Sequence, residues 1–176
     1  MTARRARYAR IATLAETILR ECGIFAPPVP IKEIILGRGV EIRHGDLGEI
    51  SGLLVRLPEN AVIGVNSKQA PVRQRFTMAH EFGHLLLHEG LKQHSDTSFK
   101  VNYRDRTSSE ATDVDEVEAN FFAACILMPR IFLDQAKAIE ALDDDAAVYE
   151  LAEKFNVSQH AMSLRLANEY GRFRPF

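Results

Sequence analysis

The sequence predicts an α+β fold: a small, mainly antiparallel sheet, then a helix carrying H-E-x-x-H, a second helix with candidate ligands, and a C-terminal helical pair. Three observations predict it. Apolar residues recur at helical spacing near the N-terminus and through most of the second half. Short β-branched runs separated by turn residues fill residues 40–66. The run Phe76 to His88 is mostly apolar, yet it contains His80, Glu81, His84 and His88.

Each element has its own signal. Ile11, Leu14, Ala15, Ile18, Leu19 and Cys22 fall on one helical face, and Gly23 should stop that helix. Pro27-Pro28-Val29-Pro30 is a stiff connection. Pro30 can open a short helix carrying Ile31, Ile34 and Ile35, which Gly37 would end. Val40 to Arg43, Ile50 to Leu57 and Ala61 to Val65 read as strands, with turns at 45–48 and 58–60. The H-E-x-x-H helix should run from near Pro71 to near Gly90. Residues 92–114 are polar and show no period, as in a lid or binding loop beside a site. Asp115 to Met128 is a second apolar helix, closed by Pro129. Arg130 to Leu142 should continue helically. Residues 146–155 and 158–170 form the last pair, with Ser158 as N-cap and Gly171 as stop.

The chain has 176 residues, 46% hydrophobic and 26% charged, which fits one domain over 1–176 with the helical pair at 146–171 packed as part of it. The net charge of -2 argues against a dedicated nucleic-acid binder. Cys22 and Cys125 belong to no C-x-x-C pair and read as free thiols of a reducing, cytoplasmic compartment. No apolar run reaches membrane-spanning length, so no membrane partner is expected. The N-terminal Arg4, Arg5, Arg7 and Arg10 lack a following apolar stretch and read as a solvated helix start.

The chemistry concentrates at His80-Glu81-Phe82-Gly83-His84. On a helix, residues i and i+4 leave one face a turn apart, so His80 and His84 can grip one metal ion. Glu81 sits beside them without ligating. This is the arrangement of a zinc hydrolase. Buried imidazoles and carboxylates are costly unless satisfied, and a divalent cation satisfies both.

A catalytic zinc needs three protein ligands. The second apolar helix opens with acids. Glu116, Ala119, Asn120 and Ala123 share a face, where small residues permit close approach and Asn120 could bond the outer nitrogen of a ligand histidine. Glu118 lies about 160° around the helix, towards solvent or a basic side chain. Glu116 is therefore favoured over Glu118 as third ligand. His88 is a further turn along, too far to share the ion, and reads as a surface or outer histidine.

Two stretches, Arg73 to His88 and Glu116 to Pro129, resemble the ImmA/IrrE-type zinc metallopeptidases. The Pro-rich segment at 27–30 and the tail Leu151 to Ser158, with Ala161-Met162 and Arg165-Leu166, are similar too. The resemblance implies a zincin-like metallopeptidase core. It implies Zn2+ as cofactor, with His80, His84 and Glu116 as its ligands and Glu81 as the catalytic acid/base. It also implies a protein substrate, a helix-turn-helix (XRE-type) repressor, whose cleavage relieves repression of mobile-element or stress-response genes. Some relatives sit in toxin–antitoxin-like operons.

The reaction so implied is peptide hydrolysis, with Glu81 carrying the proton from the attacking water to the leaving amine. Tyr103, Arg104 or His94 could stabilise the oxyanion, and no spacing selects among them. Ala61 to Val65 could be a sheet edge on which an extended substrate adds a strand. Two other classes of function compete. One is a zinc-binding sensor or interaction domain without turnover. The other is DNA binding through the helix-turn-helix-like segment 149–170, where Glu150, Glu153 and Glu169 outweigh Lys154 and Arg165, against the basic excess that phosphate contacts need.

Overall fold

A computed structural model describes residues 5–88, 93–96 and 110–171, with the backbone alone for 93–96 and 110–113. Tyr103, Arg104 and the side chain of His94 lie outside the described residues.

Helix α1 (Tyr8–Glu21) buries Ile11, Ala15, Ile18 and Leu19, the stripe its periodicity predicts. Helix α2 (Ile31–Gly37) starts after Pro30 and buries Ile31, Ile34 and Ile35. Strands β1 (Glu41–Gly45), β2 (Gly52–Arg56), β3 (Ala61–Asn66) and β4 (Gln93–Asp96) form one sheet in the order β1-β3-β2-β4. Two of its three pairings are antiparallel, β2 with β3 and β2 with β4, whereas β1 runs parallel to β3. Every residue of β3 is buried. This corrects the edge role expected for Ala61 to Val65: β3 is an inner strand, and among the described residues β1 and β4 are the outer ones. The near-continuous apolar run Ala61 to Val65 is the composition of a strand covered on both faces.

Helix α3 (Pro71–Leu87) carries H-E-x-x-H and packs on β2 and β3 from one side and on α4 (Glu110–Leu127) from the other. Pro71 opens it, where a missing N–H costs nothing. It ends at Leu87, three residues before Gly90, where Arg56, on β2, donates to the carbonyls of His84, Leu85 and His88 at 2.8–3.0 Å. Those are the orphan acceptors of a helix end. Helix α4 begins earlier than predicted, at Glu110, and β4 occupies part of the stretch read as periodless. Helix α1 lies against α4. Phe82 and Phe122 meet edge-on between α3 and α4, with ring centroids 5.9 Å apart.

The expected helix 130–142 divides into α5 (Arg130–Gln135) and a 3-10 turn at Ala138–Ala141, because Lys137 adopts φ 53°. Helix α6 (Asp145–Phe155) is capped by Asp144, which accepts from the N–H groups of Ala146 and Ala147. Helix α7 (Gln159–Tyr170) is capped by Ser158, which accepts from Ala161 at 3.1 Å. Gly171 follows its last turn in right-handed geometry, φ -62°, so it ends the helix without the left-handed cap that glycine commonly supplies.

Candidate metal centre

Helices α3 and α4 approach closely because two small residues meet. A methyl on Gly83 would lie 3.0 Å from Phe122 Cδ1 and 3.3 Å from the Ala119 backbone, leaving no room for a larger residue. That contact places the His80–His84 face of α3 opposite the start of α4.

His80 is 1% and His84 0% exposed. Their Nε2 atoms face each other at 3.1 Å. Glu116 straddles them, with Oε1 3.2 Å from His84 Nε2 and Oε2 3.4 Å from His80 Nε2. Its side chain keeps 40% of its exposure. Tetrahedral zinc with bonds near 2.0–2.1 Å separates neighbouring donors by roughly 3.3–3.4 Å. The two imidazole nitrogens and, for each of them, one oxygen of the Glu116 carboxylate have that spacing to within a few tenths of an ångström, and one donor atom from each residue lies within 4.8 Å of the others, so His80, His84 and Glu116 fit a metal ion. Two imidazoles and a carboxylate are also a donor set that zinc accepts.

Asn120, one turn beyond Glu116, has Oδ1 3.0 Å from His80 Nδ1. The amide oxygen accepts from the ring N–H, which leaves the His80 Nε2 lone pair directed at Glu116 and His84. Glu81 is fully buried. Its carboxylate lies against β2: a methyl on Gly52 would overlap Thr77 Cγ2 and sit 3.2 Å from Glu81 Oε1. Gly52 thus makes the space in which Glu81 stands, a role no spacing in the sequence announces.

One sequence expectation is narrowed and one is corrected. Of the two places expected for His88, surface or outer, it takes the outer one: it is 4% exposed, with Nδ1 3.0 Å from His84 Nδ1 and Nε2 3.1 Å from Glu118 Oε2. The ring is too far along the helix to join the first donor set, as the spacing implied, but α4 covers it. Arg7 is only partly solvated, its side chain turned towards α4. It donates from its backbone N–H, Nε and NH2 to Glu118 at 2.9, 3.0 and 2.6 Å, and from NH2 to Leu87 O. Glu118, fully buried, therefore meets a basic side chain rather than solvent. The Arg7 hydrogen bonds hold its carboxyl down to about 2, against the burial that would raise it. Arg5 and Arg10 are exposed, as expected.

Arg165 of α7 is turned inwards. It is 4% exposed, donates to Met128 O and pairs with Glu169 at 2.6 Å. The other polar side chains of α7 are uncharged or acidic apart from His160, so its exposed face offers phosphates no lysine or arginine. Cys22 and Cys125 are both free; burial pushes the Cys125 thiol up to about 11. Among the described residues no helix is long and apolar enough to cross a membrane.

Comparison with known proteins agrees with this architecture. Residues 37–167 match the family model of peptidase M78, the IrrE N-terminal-like domain. The radiation response metalloprotease IrrE of Deinococcus radiodurans is 35% identical over 122 residues, covering 68% of this chain and 34% of that protein. Its namesake from Deinococcus deserti is 33% identical over 111 residues, covering 62% and 37%. The chain thus spans about a third of the length of these curated relatives. A Mycobacterium tuberculosis transcriptional regulator of known structure superposes with a TM-score of 0.61 at 22% identity, over 90% of this chain and 47% of that one, which shows a shared fold. The chain belongs to the peptidase M78 family of IrrE N-terminal-like domains.

Proposed function

We propose that this chain is a zinc-dependent endopeptidase of the H-E-x-x-H type, built as one zincin-like domain over residues 1–176, and that it cleaves a helix-turn-helix repressor in the cytoplasm. The observation that carries this reading is the convergence of His80 Nε2, His84 Nε2 and a Glu116 oxygen pair within 3.1–3.4 Å, on two helices with Glu81 buried next to them. Family membership supports the metal and the peptidase chemistry. A bound divalent ion would supply Lewis acidity and a water acidified towards neutral pH.

The chain's residues divide the remaining work. His80, His84 and Glu116 hold the ion. Asn120 fixes the His80 tautomer. Glu81 takes a proton from the attacking water at a carboxylate oxygen and passes it to the leaving amine nitrogen. Strand β4, an outer strand among the described residues, pairs Asp96 with Gly52, the residue that abuts Glu81.

The repressor follows from the ImmA/IrrE-type resemblance, and relief of repression would be its consequence. The test is incubation of the zinc-loaded chain with the repressor encoded beside it, followed by intact mass. Specific cleavage that stops with chelator and returns with zinc supports the reading. A zinc-loaded chain that leaves the repressor whole contradicts it and favours a sensor domain.

A further inference from the structure

His84 has two ring nitrogens, of which Nε2 faces His80 and Glu116. Its Nδ1 lies 3.0 Å from Nδ1 of His88. Two facing ring nitrogens at that distance share a single hydrogen. If the Nε2 lone pair of His84 is given to a metal, the hydrogen must sit on His84 Nδ1, and His88 Nδ1 accepts it. The neutral His88 ring then carries its own hydrogen on Nε2. That nitrogen is 3.1 Å from Glu118 Oε2, a pure acceptor. Glu118 in turn receives three hydrogen bonds from Arg7. Along this line each donor meets an acceptor. His84, His88 and Glu118 are all buried, so water does not compete for these bonds.

We infer that His88 is a positioning residue: it holds His84 in the tautomer that presents Nε2 to the metal, and Glu118, clamped by Arg7, holds His88. The inference rests on the reading of His84 as a ligand. It extends the metal centre to residue 7, far away in sequence, through the line His84–His88–Glu118–Arg7.

A second use of the same residues must be weighed. His88, Asp115 and Glu118 also bring donor atoms close enough for an ion of their own, with His88 Nε2 3.4 Å from Asp115 Oδ1. Arg7 argues against it. Its guanidinium already occupies both oxygens of Glu118, at 3.0 and 2.6 Å, and a dication there would face a fixed positive charge. The relay uses the contacts as they stand, while a second ion would have to break them.

The test uses the full chain loaded with zinc. Long-range 1H–15N spectra of 15N-histidine protein should show His84 protonated on Nδ1 and His88 protonated on Nε2. His88→Leu should weaken zinc binding in chelator competition by about 10–100-fold, the usual effect of losing an outer partner of a metal-binding histidine, while His88→Gln, whose amide both accepts and donates, should stay within about threefold of wild type. Cobalt-substituted His88→Leu should show a shifted ligand-field spectrum. Zinc binding that is lost in His84→Gln but unchanged in His88→Leu, or a His88 protonated on Nδ1, overturns the relay and leaves the metal centre intact. A stoichiometry of two zinc ions per chain overturns it in favour of the second site. A wild-type chain that binds no zinc overturns both.

Discussion

Asn120 Oδ1 lies 3.0 Å from His80 Nδ1, across the contact between α3 and α4. The carbonyl oxygen can only accept, so the ring nitrogen facing it carries the hydrogen and the other nitrogen is free for a metal. Partners of this kind typically contribute 10–100-fold in metal affinity. Asn120→Ala should therefore weaken zinc binding by about that factor, read by chelator competition, while Asn120→Asp, which keeps an acceptor, should bind close to wild type. Equal affinity in Asn120→Ala would show that the contact does not orient His80.

Gly83 makes the helix contact that brings Glu116 to the histidines. A side chain there meets Phe122 at 3.0 Å and the Ala119 backbone at 3.3 Å, and backbone cannot rotate away. Gly83→Val should destabilise the fold by about 1–3 kcal/mol through overpacking. For a chain of this size that is a fall of several degrees in Tm, measurable by thermal unfolding. Unchanged Tm would mean that the helices separate without cost.

These contacts were unequally legible in the sequence. The i, i+4 spacing of His80 and His84 fixes their common face on any helix. The grouping of Glu116, Asn120 and small residues on one face of α4 pointed to the partner surface. What the spacing could not tell was set by long-range packing. Arg7 finds Glu118 across 111 positions, and Arg56 reaches the end of α3 from a neighbouring strand. The distance argument on His88 correctly separated it from the first donor set, but burial depends on α4, which no local pattern places. Sheet order was missed for the same reason. The hairpin of β2 and β3 is local, whereas β1 inserting beside β3 is not, and that pairing makes β3 an inner strand.

The Arg7–Glu118 pair should be visible in acid unfolding. The carboxyl of Glu118, which faces Arg7 and His88, is held down to about 2 in the fold, against an ordinary 4.5. A depressed carboxyl contributes stability above its unfolded value and loses it as pH falls through its folded value. Arg7→Met removes the clamp and leaves the acid buried. The cost should be about 2 kcal/mol at neutral pH, less than for a wholly buried pair because Arg7 is 34% exposed. The difference between variant and wild type in denaturant titrations should shrink as pH falls from about 4.5 towards 2. A difference that stays constant across that window would assign the loss to packing alone.

Helix α7 should not read DNA. Its arginine is buried against Met128 O and paired with Glu169. Fluorescence anisotropy with random duplex DNA at moderate salt should show no saturable binding, since phosphate contacts need outward-facing cations. Sequence-specific binding that survives such salt would restore a regulatory role for the α6–α7 pair.

In the proposed mechanism Glu81 carries the proton at a zinc ion held by its neighbours. Glu81→Gln tests it most directly, with metal content and cleavage of the repressor measured on the same sample. About one zinc per chain is expected, as in the wild type, with cleavage slower by about 10²–10⁴-fold, the usual contribution of a positioned acid–base group. A variant that keeps its zinc and cuts at the wild-type rate would contradict it.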